Sequence, residues 1–202
     1  MPGMASRPHS PASAPLSALL ERALGLIAFT VLMLLGAPLP AQTAATPEYQ
    51  VEAVFLFNFT QFVEWPPDAF TDSKSPIVIG LLGEDPFGTY LDEAVRGEKI
   101  DGRALVVRRF RRLEDVLVCH VLFISQSEAA DLDRILSELK GRALLTVSDL
   151  ESFSRRGGIV RFVNENNRVR LRVNVEAAKA ARLTISSKLL RVAEIVATET
   201  VQ

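Results

Sequence analysis

The chain of 202 residues has a single cysteine, Cys119, and two histidines, His9 and His120. One thiol makes no intramolecular disulfide, and so small a stock of thiol and imidazole excludes a His/Cys zinc cluster and a Cys-His nucleophile pair. Charge of one sign is also lacking: 23 Lys and Arg face 24 Asp and Glu. Nucleic-acid binding rests on neutralising several phosphates, so this balance excludes a general attraction for it. No G-x-S-x-G elbow occurs, and His120 lies inside an apolar run, which removes a hydrolase triad. Nor does a spaced carboxylate pair stand out for acid-base chemistry. We expect no catalytic residue, no metal site and no cofactor.

What the chain has is apolar surface, 48% of its residues. Part of it is the run Ala23 to Ala37, preceded by Arg7 and Arg22 and followed by Pro38-Leu39-Pro40-Ala41. This order reads as a secretory signal, shorter than the roughly 20 residues that span a bilayer. Cleavage is placed after Ala41. The long Pro- and Ser-rich stretch before the run leaves two alternatives, a start at Met4 or retention of the segment as an anchor. Residues 42–47 read as a linker, and 48–202 as a single domain of ordinary size.

Glu48 to Trp65 has Val51, Val54, Phe55, Phe59, Phe62 and Val63 near helical spacing. It carries six of the fourteen aromatics, too many for one narrow core face, so this helix is either buried on two sides or shared with a partner. Ile77 to Leu82, Ala104 to Phe110, Cys119 to Ser125 and Ala143 to Val147 read as strands whose continuous apolar runs imply cover on both faces. Asp85 is placed to cap a helix with Pro86 at its first position, and Ser125 with Glu128 forms a capping-box pattern for a helix Glu128 to Lys140. Ile159 to Val163 and Arg168 to Val175 flank the turn Asn164 to Asn167 as a hairpin. Helices are expected at Glu176 to Ala181 and from Ser186 to about Thr198. The resulting fold class is α/β: a three-layer-like sandwich, mostly parallel with an antiparallel C-terminal hairpin, and helices on both faces.

Each candidate site residue has a plain structural alternative. Gly83 to Gly88 lacks the spacing and lysine of a phosphate loop and reads as a capped turn. Ser148 and Asp149 end a strand where open α/β sheets place ligands, yet Asp149 equally suits a cap on the turn that follows. Arg168, Arg170 and Arg172 share one strand face about 7 Å apart, ready for an acidic partner or as a solvated edge. Ser186, Ser187 and Lys188 open the last helix, where capping competes with anion binding. Trp65 is a packing anchor or an interface residue, and Phe57 a contact residue of the aromatic helix. His120 is a strand residue with a local hydrogen bond, and Cys119 a small buried hydrophobe.

The ordered segments AVFLFNFTQFVEWP (Ala53 to Pro66), GLLGEDPFG (Gly80 to Gly88), GRALVVRRF (Gly102 to Phe110), CHVLFIS (Cys119 to Ser125), LLTVSD (Leu144 to Asp149), GGIVRFV (Gly157 to Val163) and the stretch from Arg168 to Val196 with its SSKLL resemble the YfiR family. The resemblance implies a periplasmic, non-enzymatic α/β protein. In the family's namesake system such a protein binds the periplasmic domain of an inner-membrane diguanylate cyclase and holds it inactive. An outer-membrane lipoprotein sequesters it, which raises cyclic di-GMP and favours biofilm. Homodimers and pockets for a small amphipathic ligand also go with the family, with ligand contacts that would fall around Thr184 to Lys188. The namesake is disulfide-stabilised and redox-sensitive; with Cys119 alone, control of that type is expected to be absent here. Two function classes follow: a regulator that binds a membrane signalling protein through its first and last helices, and a small-ligand sensor serving a histidine kinase or other receptor, with its pocket near Gly83, Ser148 and Asp149.

Overall fold

The first helix, α1 (Pro47–Phe62), opens with Pro47 where a missing N–H costs nothing, and with Glu48 in its first turn. In this computed structural model residues 46–199 are described; the expected export signal and most of the linker lie outside the described residues. Helix α1 stops at Phe62 instead of Trp65, because Val63–Glu64 (β1) leaves to pair antiparallel with Thr184–Ile185 (β9). The proline at position 66 also biases Trp65 to extended backbone.

The continuous apolar runs become the centre of one sheet. Ile77–Leu82 (β2), Arg103–Phe110 (β4), Val121–Ile124 (β5), Leu145–Ser148 (β6) and Val160–Glu165 (β7) lie in the order β4-β2-β5-β6-β7, all parallel. That is a doubly wound order, reversing at β2. Lys99–Ile100 (β3) adds an antiparallel edge beyond β4. At the other end Arg168–Asn174 (β8) pairs antiparallel with β7 across a turn at Asn166 and Asn167, both at positive φ, as a two-residue hairpin of this hand requires. Ala193–Val196 (β10) then pairs parallel with β8 and completes the eight-stranded sheet.

Helices cover both faces. On the first, α1, Thr89–Val95 (α2) and Val175–Ala180 (α4) bury Leu56, Phe59, Leu91 and Ala178 against Ile79, Phe123, Val147, Phe162 and Val173. On the second, Leu132–Leu139 (α3) buries Leu132, Ile135 and Leu139 against Val78, Leu122 and Ile124. No residue of β7, β8 or β10 belongs to that second core. The α/β sandwich with a mainly parallel sheet is therefore as expected.

Three local expectations fail. The terminal helix from Ser186 to Thr198 is only Ser187–Leu190 (α5); the β-branched run after it becomes β10, because β8 offers an open ladder that four more residues of isolated helix would leave unpaired. The capping box is half made: Ser125 accepts from Ser127 N, but Glu128 accepts from the Ser127 hydroxyl instead, and the first turns are 3-10 before α3 begins. Pro86 does not open a helix. Asp85 Oδ1 accepts from the amides of Phe87 and Gly88, and α2 starts one residue later. Arg109 fixes this turn by bonding Asp85, Asp92 and the Gly88 carbonyl at 2.6–3.1 Å, so the segment is a capped, clamped turn.

Candidate functional site

In a doubly wound sheet the C-terminal crevice beside the reversing strand is the usual ligand site. Here it is filled. Gly83, at φ +91°, lies so close to Ser127 and Glu128 that a Cβ would collide with both, and Glu84 N donates to Ser127 Oγ at 3.0 Å. Neither Gly83, Ser148 nor Asp149 lines any of the three cavities described below. Ser148 is fully buried, donates to the Ile124 carbonyl at 2.6 Å and accepts from Leu150 N. That makes Ser148, not Asp149, the cap on the turn after β6.

Asp149 instead reaches α1. Its Oδ2 accepts from the Tyr49 hydroxyl at 2.9 Å, while Oδ1 is buried without a partner. Beneath the next turn of α1 is Glu52, 1% exposed, whose Oε2 is also unpartnered. Burial, then the nearby Asp149 and Glu48, push the Glu52 carboxyl up to about 9, so it holds its proton at neutral pH. Burial and Asp149 likewise push the Tyr49 phenol up. No spacing along the chain marks Glu52 and Asp149 as neighbours, but Glu52 shares the buried helix face of Leu56 and Phe59, the one signal in the residues that it is buried. Glu52 is sealed under α1, while Asp149 and Tyr49 beside it are half-buried.

A second polar-aromatic group surrounds His120. Its Nδ1 accepts from Val78 N at 3.0 Å, so the ring proton lies on Nε2, donated to the Ala69 carbonyl at 3.2 Å. Phe70 stacks on the imidazole at 4.5 Å, the Arg103 guanidinium lies over Phe70, and Trp65 meets His120 edge-on while donating to its carbonyl. His120 thus binds far along the chain rather than locally, and Trp65 is tied into the molecule as a packing anchor. Burial lowers the His120 pKa from its ordinary value. Cys119 next to it is buried, its thiol pushed up to about 12, which makes it a poor nucleophile.

The remaining expected residues divide. Phe57 is half-buried against the first core. Ser186 Oγ accepts from Lys188 N and so caps α5, with Ser187 and Lys188 exposed beside it. Arg168, Arg170 and Arg172 do share one face; β10 pairs with residues 171–174 of β8, so Arg172 lies on an inner stretch while Arg168 and Arg170 lie, exposed, on a stretch with only β7 beside it. Arg172 pairs with Glu165 at 3.3 Å and Glu194 at 2.8 Å.

Open surface lies on the first face, between α1 and the β8–β10 end. One cavity of about 710 Å³ is lined by Val51, Phe55, Val169 and the hairpin turn, and a second of about 210 Å³ shares Phe55 and Val169 and reaches Leu171 and Val192. Together they form a groove with an apolar floor. Val51 and Val192 on its lining are exposed large hydrophobics, as are Val54 on α1 and Ile195 on β10; Leu117, at 81%, and Val118 are exposed elsewhere, before β5. A third cavity, about 470 Å³, lies near α3 and α4 and carries Arg156, Asp133 and Glu176 on its lining. Among the described residues no group of three or more His, Cys, Asp or Glu is arranged to hold a metal, and no helix is long and apolar enough to cross a membrane.

No curated protein matches the chain. The profile of the YfiR/HmsC-like family matches residues 49–194, from the second helical residue after Pro47 into β10. Most of α1, the parallel strands and the hairpin are inside that match, and the chain belongs to the YfiR/HmsC-like family.

Proposed function

We propose that this protein is an exported, non-enzymatic regulator that acts in the periplasm by binding the periplasmic part of an inner-membrane signalling protein, a diguanylate cyclase being the expected partner, and repressing it. Family membership supports the setting. The observation that carries the reading on this chain is the groove between α1 and the β8–β10 end, with Val51, Val54, Val192 and Ile195 left in solvent. Exposed apolar side chains gathered at one site, rimmed by polar groups, are what a docking surface requires. Among the described residues Glu52, His120 and Cys119 are buried, and none of them lines the groove. With one cysteine, repression would not depend on an intramolecular disulfide.

The test is co-purification of residues 42–202 with the periplasmic domain of a membrane diguanylate cyclase encoded beside it, and cyclic di-GMP measured after deletion. Association, lost in Val51→Asp and Val54→Asp, and a raised cyclic di-GMP level in the deletion strain are expected. Absence of both association and change in cyclic di-GMP overturns the reading.

A further inference from the structure

The second face of the sheet over β7, β8 and β10 has no helix of the second core on it. Its outward residues are Arg161, Val163 and Glu165 on β7, Arg168, Arg170 and Arg172 on β8, and Glu194 on β10; Asn174, at the end of β8 on the same side, is buried and donates to the Ser154 carbonyl and Thr198 Oγ1, so that end of the face is covered by loop and tail. Register places Arg161 directly opposite Arg172, Val163 opposite Arg170 and Glu165 opposite Arg168. Like charges opposed across an antiparallel pair destabilise a sheet, so the Arg161–Arg172 juxtaposition is a local cost.

The acids in reach do not relieve it. Glu165 is shared by Arg170 and Arg172, Glu194 is taken by Arg172, and Glu199 by Arg155. Glu151 and Asp149 act on Arg161 electrostatically without touching it. Among the described residues Arg161 has neither an ion pair nor a hydrogen bond, and its Nε is buried without a partner. Arg168 has no ion pair either. A guanidinium is a fork of donors shaped for a carboxylate, and here one is held in place, half-buried, with its match missing.

We propose that this face, which no helix of the second core covers, is a second docking surface, and that it takes an acidic segment of a protein partner with one Asp or Glu carboxylate on Arg161 and a second on the unpaired Arg168, about 13 Å further along the strands. The occupant is a macromolecular segment and not a free anion, because Arg161 lines none of the cavities and the two unpaired guanidiniums, Arg161 and Arg168, stand about 13 Å apart along the strands, a span that no small anion bridges. A small anion needs a concave site, whereas arginine on an open face is characteristic of protein interfaces. The proposal rests on the reading of this protein as a partner-binding regulator, and it uses the opposite face of the sheet, meeting the groove at Arg168, which lines both of its cavities.

The experiment uses residues 42–202 with three probes: an octaglutamate peptide, an octalysine peptide and inorganic phosphate. Amide chemical shifts report where each binds, and titration gives its affinity. Octaglutamate is expected to move the amides of residues 161–172 and 194, phosphate at equal concentration to leave them unmoved, and Arg161→Gln to weaken octaglutamate by about tenfold. Arg161→Gln should also hold or raise the melting temperature, a result that a purely structural arginine would not give. Equal shifts with phosphate, shifts confined to other regions, or unchanged affinity in Arg161→Gln overturn the proposal. Should that variant fail to fold, the shift map on the unaltered chain decides alone. If a cyclase domain co-purifies but octaglutamate does not map here, only this proposal falls; if octaglutamate maps here and no membrane partner is found, only the function reading falls.

Discussion

The two ends of the sheet obey different rules. Around β2 and β5 both faces are sealed: Ile79 and Phe123 face one helical layer while Val78, Leu122 and Ile124 face the other. At β7, β8 and β10 only one face is packed, and the other carries arginines and glutamates. The sealed end has no opening where doubly wound sheets usually bind ligands, since Gly83 and the Ser127 loop close it. The half-covered end holds Val192, Ile195, the groove and the unpaired Arg161, while Leu117, Val118 and Tyr90 are exposed at the other end. On the proposed reading stability and interaction divide between opposite ends of one sheet, the docking surfaces lying at the end that helices cover on one face only.

The comparison is broken most directly by truncating equivalent outward side chains at each end. Leu122, fully buried on the second face of β5, should cost about 2–5 kcal/mol as Leu122→Ala, through lost transfer energy and a cavity under α3. Val163, on the same face of β7 and half-buried, should cost less than about 1 kcal/mol as Val163→Ala. Denaturant midpoints at constant m-value measure both. Equal costs would mean that the hairpin end is covered after all.

The next effect concerns protons. Glu52 is raised from 4.5 to about 9, so the folded state binds its proton more tightly than the unfolded state does. Stability from this group is full below about 4.5 and is lost as pH rises through about 9. Glu52→Gln has no such slope and should exceed the wild-type chain by about 2–3 kcal/mol at pH 9. His120 gives a limb of opposite sign. Its pKa is lowered, so its contribution is full above the ordinary value near 6.5 and is lost as pH falls through the folded value. Charging Nδ1 would set a proton against Val78 N–H, and His120→Gln should flatten the acid side of the stability profile. Both limbs belong to the sealed end, and thermal melts from pH 4 to 10 separate them.

The same contrast explains what could be read from residues alone. The sealed strands announced themselves: Ile77 to Leu82 and Val121 to Ile124 are apolar on both sides, a pattern only a covered parallel strand accepts. The hairpin was legible from the alternation of β8 and from Asn166-Asn167. The β10 strand was not, because Leu189, Leu190, Ala193 and Val196 satisfy a helical stripe as well as an edge strand, and the choice depended on β8 having an open ladder. The same holds for the carboxylate pair: Tyr49 and Asp149 are 100 residues apart, and only the doubly wound order brings the end of β6 beneath α1. The arginine stripe was visible, but its decisive member, Arg161, lies on a neighbouring strand and becomes notable only through its register with Arg172.

The smallest expected effect tests whether the half-covered end is held by charge at all. Arg172 pairs with Glu165 and Glu194, partners that are 41% and 60% exposed, and exposed pairs contribute about 0–1 kcal/mol. Arg172→Ala also removes the like charge facing Arg161, which offsets part of that loss. The net cost should therefore stay below about 0.5 kcal/mol in low salt, since the two contributions oppose each other and both are screened by added salt. A double-mutant cycle of Arg172→Ala with Glu194→Gln isolates the attraction, and one with Arg161→Gln isolates the repulsion; the two coupling energies should have opposite signs. A loss approaching that of Leu122→Ala would mean that the arginine network, and not the first-face core, holds β8 and β10 in place, and the division between a stable end and a binding end would fall.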